Sequence, residues 1–288
     1  MQLDHRNHAV LYRDDEIDCR DRFTPIAGSQ LMRWLRGWRR RRILERHPLD
    51  ERLWRRARAR LAFLDGLSAG EERRLREMAI VFLAEKQFTP VRGTVLSDAD
   101  RLSIALQACL PVLELGLDWY DGWVGIVVHP ADFKVSRSAT DEDGVVHEWN
   151  DALAGESWPG GPVVLSWDAL DEAGSVARGG ANVVIHEFAH KLDMMSGEAD
   201  GVPPLPSRHA RQAWRAVLER ELARFRRDVD AGRETLLDPY AAENEAEFFA
   251  VASEAFFESP NALRGEHPEL YRLLRDFFRQ DPAQRLAA

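Results

Sequence analysis

The segment His186-Glu187-Phe188-Ala189-His190 sets two imidazoles four residues apart, with a carboxylate directly after the first. On an α-helix, at about 100° per residue, positions i and i+4 lie one turn apart on one face, so both imidazoles can reach a single ion. Two neutral imidazoles and a carboxylate suit zinc and leave one coordination position for water. The metal lowers the pKa of such a water to about 7. Glu187, on the neighbouring flank, is placed to take its proton. The competing reading is two helix histidines satisfied on a partly polar face. His147-Glu148 begins the same pattern, but Asp151 stands where a second histidine is required.

A third protein ligand is needed. Asp193 and Ser196 occupy the places where the metzincin extension has glycine and histidine, which excludes that subclass. A glutamate from a second helix is the alternative. The periodicity predicts a helix over 240–257 that carries Glu243, Glu245, Glu247 and Glu254, with Glu258 just beyond. Tyr240, Glu247 and Glu254 are seven apart and share a face to within about 20° per heptad. Phe248, Phe249 and Phe256 bury much of that helix, and a carboxylate in an apolar setting wants a cation. Spacing alone leaves Glu247 and Glu254 as competitors. Glu254 either stands behind the site or pairs with an arginine. Asp193 either fixes a histidine tautomer or caps the helix toward water.

The elements that must position these groups follow from the apolar pattern. Val184, Phe188, Leu192 and Met195 make one face of the helix that bears the histidines. Helical spacing also predicts segments from Leu31, from Asp50, from Ser68 with Glu71 in a capping box, and from Ser97 to Pro111. The texture changes at Trp123 to His129, a short β-branched run, and again at Val145-Val146 and Pro162 to Trp167; these read as strands. A helix with Trp214, Leu218, Leu222 and Phe225 inward ends at Gly232, and another spans 268–278. Helices, then a few strands, then helices make an α+β fold with a small mixed sheet. The organisation expected is a flexible leader over 1–30, a helical part over 31–118 and a catalytic core over 119–288, the last two packed as one unit.

Composition narrows the classes. The chain has 288 residues, 45% hydrophobic and 30% charged, an ordinary globular balance. The net charge of -9 argues against a polyanion binder as a whole, yet residues 31–60 hold twelve arginines against three acids. The run Arg39-Arg40-Arg41-Arg42 could neutralise phosphates, but no recognition motif accompanies it. It reads as the solvated face of an amphipathic helix with Trp34 and Trp38 inward, or as a surface that docks on acids of a partner or of this chain. No direct nucleic-acid contact is expected. No stretch approaches the ~18 apolar residues of a membrane span. Two cysteines outside any paired motif, and an N-terminus without signal-peptide character, point to the cytoplasm.

One stretch is recognisable. Gly180-Ala-Asn-Val-Val-Ile-His186-Glu187-Phe-Ala-His190-Lys-Leu-Asp-Met-Met resembles the active-site helix of the Mlc titration factor A family, bacterial zinc peptidases of the gluzincin type. Phe82 to Phe88, Gln107 to Gly116, Gly155 to Trp158, Gly161 to Trp167 and Asn244 to Glu254 are similar as well, so the resemblance runs over about residues 31–280. It implies a zincin-like core with one zinc on His186, His190 and Glu247, which breaks the tie with Glu254. It implies Glu187 as the catalytic base and Tyr240 as a donor to the developing oxyanion. The peptidase domain of anthrax lethal factor is similar in that Tyr and Glu spacing. The implied activity is aminopeptidase-like hydrolysis of small peptides, and the implied partner is an Mlc-like transcriptional repressor. The alternative is a non-catalytic regulator that sequesters such a repressor. The strand at 163–167, either a core strand or a sheet edge for extended substrate, becomes an edge under this resemblance, and Gly155 to Trp158 becomes a candidate wall of the cleft.

Overall fold

The computed structural model describes residues 30–130, 133–140, 146–153, 155–157, 160–167 and 182–286. Residues 1–29 of the expected leader, together with Val145 and Trp158, lie outside the described residues, and Gln30 already belongs to the first helix. The N-terminal helices are α1 (Gln30–Arg46), α2 (Glu51–Arg58), α3 (Ala69–Glu85) and α4 (Asp98–Cys109). Their starts follow local chemistry. Asp50 accepts from two backbone N–H groups of α2, and Ser68 and Ser97 each open a helix through a capping box, with Glu71 and Asp100 as the reciprocal acids. Pro111 follows α4 as its breaker.

The sheet is small and mixed. Strands β1 (Gln87–Pro90), β2 (Gly125–His129) and β6 (Val163–Ser166) run parallel, and β5 (Gly155–Ser157) pairs antiparallel to β6. The order is β1-β2-β6-β5, and β3 (Phe133–Thr140) with β4 (Val146–Leu153) makes a separate hairpin. Thus β6 is paired on both sides, so it is an interior strand and not the sheet edge; the outermost described strand on that side is β5. All four residues of β6 are buried, and Val163, Val164 and Leu165 make the apolar run expected of a strand covered on both faces. Neither β1 nor β3 stood out in the sequence, because Gln87-Phe-Thr-Pro90 is too short and Phe133 to Thr140 too polar to carry a strand pattern.

The C-terminal half comprises α5 (Val183–Asp193), α6 (Arg208–Asp230), a 3₁₀ turn (Pro239–Ala242), α7 (Glu245–Glu258), α8 (Pro260–Glu266), α9 (Pro268–Phe278) and α10 (Pro282–Arg285). The helix expected over 240–257 is therefore two elements. Asn244 caps α7 by accepting from the Glu247 N–H, and Asp238 accepts from the Tyr240 N–H at the preceding turn. Two side-chain caps within seven residues favour a break over a continuous helix. One apolar cluster runs from Trp54 to Ala283 and joins the N-terminal helices, the sheet and the C-terminal helices. This is the expected α+β architecture, with a small mixed sheet between helical parts.

The arginine-rich helix corrects an expectation. Trp34 and Trp38 point outward, 63% and 48% exposed. The opposite face of α1 meets the body of the protein instead. Arg36 and Arg40 bond to Asp121 and Asp118, at 2.7 and 2.5 Å, and Ile43 and Leu44 pack on the core. Arginines can satisfy acids on their own chain while carrying their stems across apolar surface, so periodicity of the tryptophans did not decide which face was covered.

Candidate metal centre

Helix α5 is anchored by the residue in the middle of the motif. Phe188 is fully buried, its ring 5.7 Å from Phe82, 5.1 Å from Tyr120 and 5.7 Å from Trp123 between centroids. Val184, Ile185 and Leu192 are buried beside it, whereas Met195, expected on the same face, is exposed beyond the helix end. These ring contacts, edge-to-face with Tyr120 and tilted with Phe82 and Trp123, fix both rotation and depth of the helix. The far end is held by a loop. Asp193 Oδ2 accepts from the Gly201 N–H at 2.7 Å, and the Gly201 carbonyl accepts from Trp214 Nε1 at 2.7 Å. Gly201 has φ +72° and lies where a Cβ would come within 2.4 Å of the Glu245 carbonyl oxygen, so only glycine lets this loop touch the start of α7.

These anchors bring His186, His190 and Glu247 together. His186 Nε2 is 3.0 Å from Glu247 Oε2, the two imidazole Nε2 atoms are 3.1 Å apart, and His190 Nε2 is 3.3 Å from Glu247 Oε2. Metal–ligand bonds of about 2.0–2.1 Å in a tetrahedron put neighbouring ligand atoms about 3.3 Å apart. The donor triangle therefore fits a small divalent ion, and these three residues form the candidate metal group among the described residues. Burial alone would lower the His186 pKa, but hydrogen bonds to Glu247 and Glu254 outweigh it and raise the value well above normal. Burial would raise Glu247, and the two histidines hold it far below the carboxylate range. The field that holds protons here also favours a bound cation.

Glu254 is not a competitor for the same position. It stands on the other side of His186, with Oε1 2.7 Å from Nδ1, while Oε2 accepts from the Asn182 N–H at 2.5 Å. Glu254 is buried and, among the described residues, has no arginine among its hydrogen-bond partners. Its bond to Nδ1 leaves Nε2 for a metal. Asn182 organises this floor. Its Oδ1 accepts from the Ile185 N–H and caps α5, and its Nδ2 donates to Gln107 Oε1 at 2.9 Å and Glu258 Oε1 at 2.7 Å. Sequence reasoning missed this role of Asn182, although an Asn immediately before an apolar periodic run is a capping signal. Gln107 and Glu258 carry no local signal, since they come from distant helices.

His190 differs. Asp193 is spent largely on Gly201, and neither His190 Nδ1 nor Asp193 Oδ1 has a hydrogen-bond partner among the described residues. Burial pushes the Asp193 carboxyl up to about 7. Glu187 is buried, and desolvation raises its pKa although His186, His190 and Ser157 pull it down. A carboxylate raised in this way is a better proton acceptor near neutral pH. Tyr240, on the 3₁₀ turn, has its ring 6.3 Å from that of His186 and is 36% exposed.

Residues 35–279 match the family described as glucose-regulated metallo-peptidase M90. "Mlc titration factor A" of Enterobacter sp. (strain 638) is 39% identical over 242 residues, covering 83% of this chain and 88% of that protein. The protein of the same name from Salmonella arizonae is 39% identical over 78% of this chain and 90% of its own length. That of Klebsiella pneumoniae (strain 342) is 39% identical over 81% and 88%.

Proposed function

The chain belongs to the glucose-regulated metallo-peptidase M90 family, and from that premise we propose that it is a zinc-dependent, aminopeptidase-like hydrolase of small peptides. The observation that carries the reading is the His186, His190 and Glu247 triangle beside the buried Glu187 carboxylate. When bound, zinc supplies Lewis acidity to a water and to the scissile carbonyl. His186, His190 and Glu247 hold the ion, and Glu254 orients His186. Glu187 accepts the proton of the attacking water and passes it to the leaving amine. Tyr240 donates a hydrogen bond to the carbonyl oxygen as negative charge develops there. Half-exposed placement on a short turn suits a side chain that must meet substrate.

The test is Glu187→Gln. It retains zinc and fold and loses about 10²–10⁴-fold in kcat on aminoacyl and peptidyl nitroanilides. Full activity in that variant overturns the mechanism.

The name shared by the relatives supports a second role, binding an Mlc-like transcriptional repressor. Glu187→Gln leaves that binding intact, so pull-down of a purified repressor with this variant separates the two roles. The proposed location is the cytoplasm. No helix among the described residues is long and apolar enough to cross a membrane. The proposed organisation keeps 31–118 and 119–288 as one working unit, in line with the shared apolar cluster.

A further inference from the structure

We propose that Ser157 on β5 is a positioning residue for Glu187 and that Gly155, two residues earlier, holds open the space this carboxylate occupies. The inference rests on the reading of Glu187 as the proton acceptor. Successive residues of a strand alternate between faces, so positions 155 and 157 both turn toward α5. Ser157 Oγ lies 2.7 Å from Glu187 Oε2 and 3.2 Å from the Glu187 main-chain oxygen. A hydroxyl has one proton, and the nearer, carboxylate oxygen is the stronger acceptor. That bond engages one carboxylate oxygen and so fixes the orientation of the group. The last torsion of a glutamate is otherwise broad, so an unheld carboxylate samples many orientations.

Gly155 acts by absence. A Cβ there would stand 2.3 Å from Glu187 Oε1 and 2.6 Å from both Cδ and Cγ. Any side chain at 155 therefore displaces the carboxylate or the strand. The strand itself is fixed in register. Gly155 and Ser157 pair with Leu165 and Val163, and Lys191 Nζ on α5 donates to the Gly161 carbonyl at 2.8 Å, in the turn that joins β5 to β6. The outermost described strand of the sheet thus has a task besides pairing: one face of it is fitted to the acid of α5.

The experiment uses the zinc-loaded full chain with Ser157→Ala, Ser157→Thr, Gly155→Ala and Glu187→Gln. Four quantities are read: zinc content, kcat and KM on peptidyl nitroanilides, and the affinity of a peptide hydroxamate, whose acidic proton Glu187 must hold. Ser157→Ala keeps zinc and KM, while kcat and hydroxamate affinity each fall about tenfold, the effect of one lost bond to a charged group. Ser157→Thr restores both, and Gly155→Ala lowers both further with zinc retained. Wild-type kcat and hydroxamate affinity in Ser157→Ala overturn the proposal, as does loss of zinc or of fold in that variant, which assigns Ser157 a structural role. Where turnover is too slow to resolve, the hydroxamate affinity decides. A fully active Glu187→Gln removes the underlying reading, whereas an inactive Glu187→Gln beside an unaffected Ser157→Ala removes only the role of Ser157.

Discussion

Glu247 and Glu254 stand seven residues apart on α7, yet they grip opposite nitrogens of one imidazole: Glu247 meets Nε2 of His186, and Glu254 meets Nδ1. A heptad places two side chains on one face but separates them by about 10 Å along the axis. His186 projects between them. The first carboxylate belongs to the open end of the site, with Tyr240 and His190. The second belongs to a buried end, with Asn182, Gln107 and Glu258. The same residue type at the same angular position thus takes two roles, set by depth along the helix.

Substitutions at the open end have the largest expected effects. Glu247→Ala removes a proposed ligand and abolishes hydrolysis, read as loss of turnover on nitroanilides. Tyr240→Phe keeps zinc and lowers kcat about 10²-fold, the usual scale for one oxyanion donor; a change in KM alone would instead make Tyr240 a binding group. At the buried end the effects are smaller. Glu254→Gln keeps the shape of the floor but weakens the hold on His186, and zinc affinity falls about 10–100-fold in a chelator competition. If Glu254→Gln loses zinc as completely as Glu247→Ala, the division into two ends fails.

The mildest test is pH-dependent. Burial pushes the Glu258 carboxyl up to about 7 from 4.5, eased by its bond from Asn182 and reinforced by Glu254. The native state therefore binds this proton more tightly than the unfolded chain. The associated stability is fully present below about 4.5 and is lost as pH rises through about 7. Thermal denaturation of Glu258→Gln between pH 4.5 and 8 shows a smaller decline than the wild type. Parallel curves would mean that Glu258 does not carry this dependence.

The motif helix was legible because Phe188, Val184 and Leu192 declare its buried face and the histidines its polar one. The capping boxes at Ser68 and Ser97 were legible because their chemistry is local. The choice between Glu247 and Glu254 was not, since angular periodicity carries no information on where along its axis α7 crosses α5. The outward Trp34 and Trp38 were unreadable for a related reason: which face of α1 is covered depends on Asp118 and Asp121, some eighty residues away. Ser157 sits in a three-residue strand whose meaning appears only when α5 is packed against it.

The proposed metal site at His186, His190 and Glu247 is decided by metal analysis of the purified chain beside Glu247→Ala. Close to one zinc per chain is expected in the first and loss of it in the second, with both proteins folded. A folded wild-type chain that takes up no zinc when it is supplied, or a Glu247→Ala chain that holds zinc as tightly as the wild type, would contradict it.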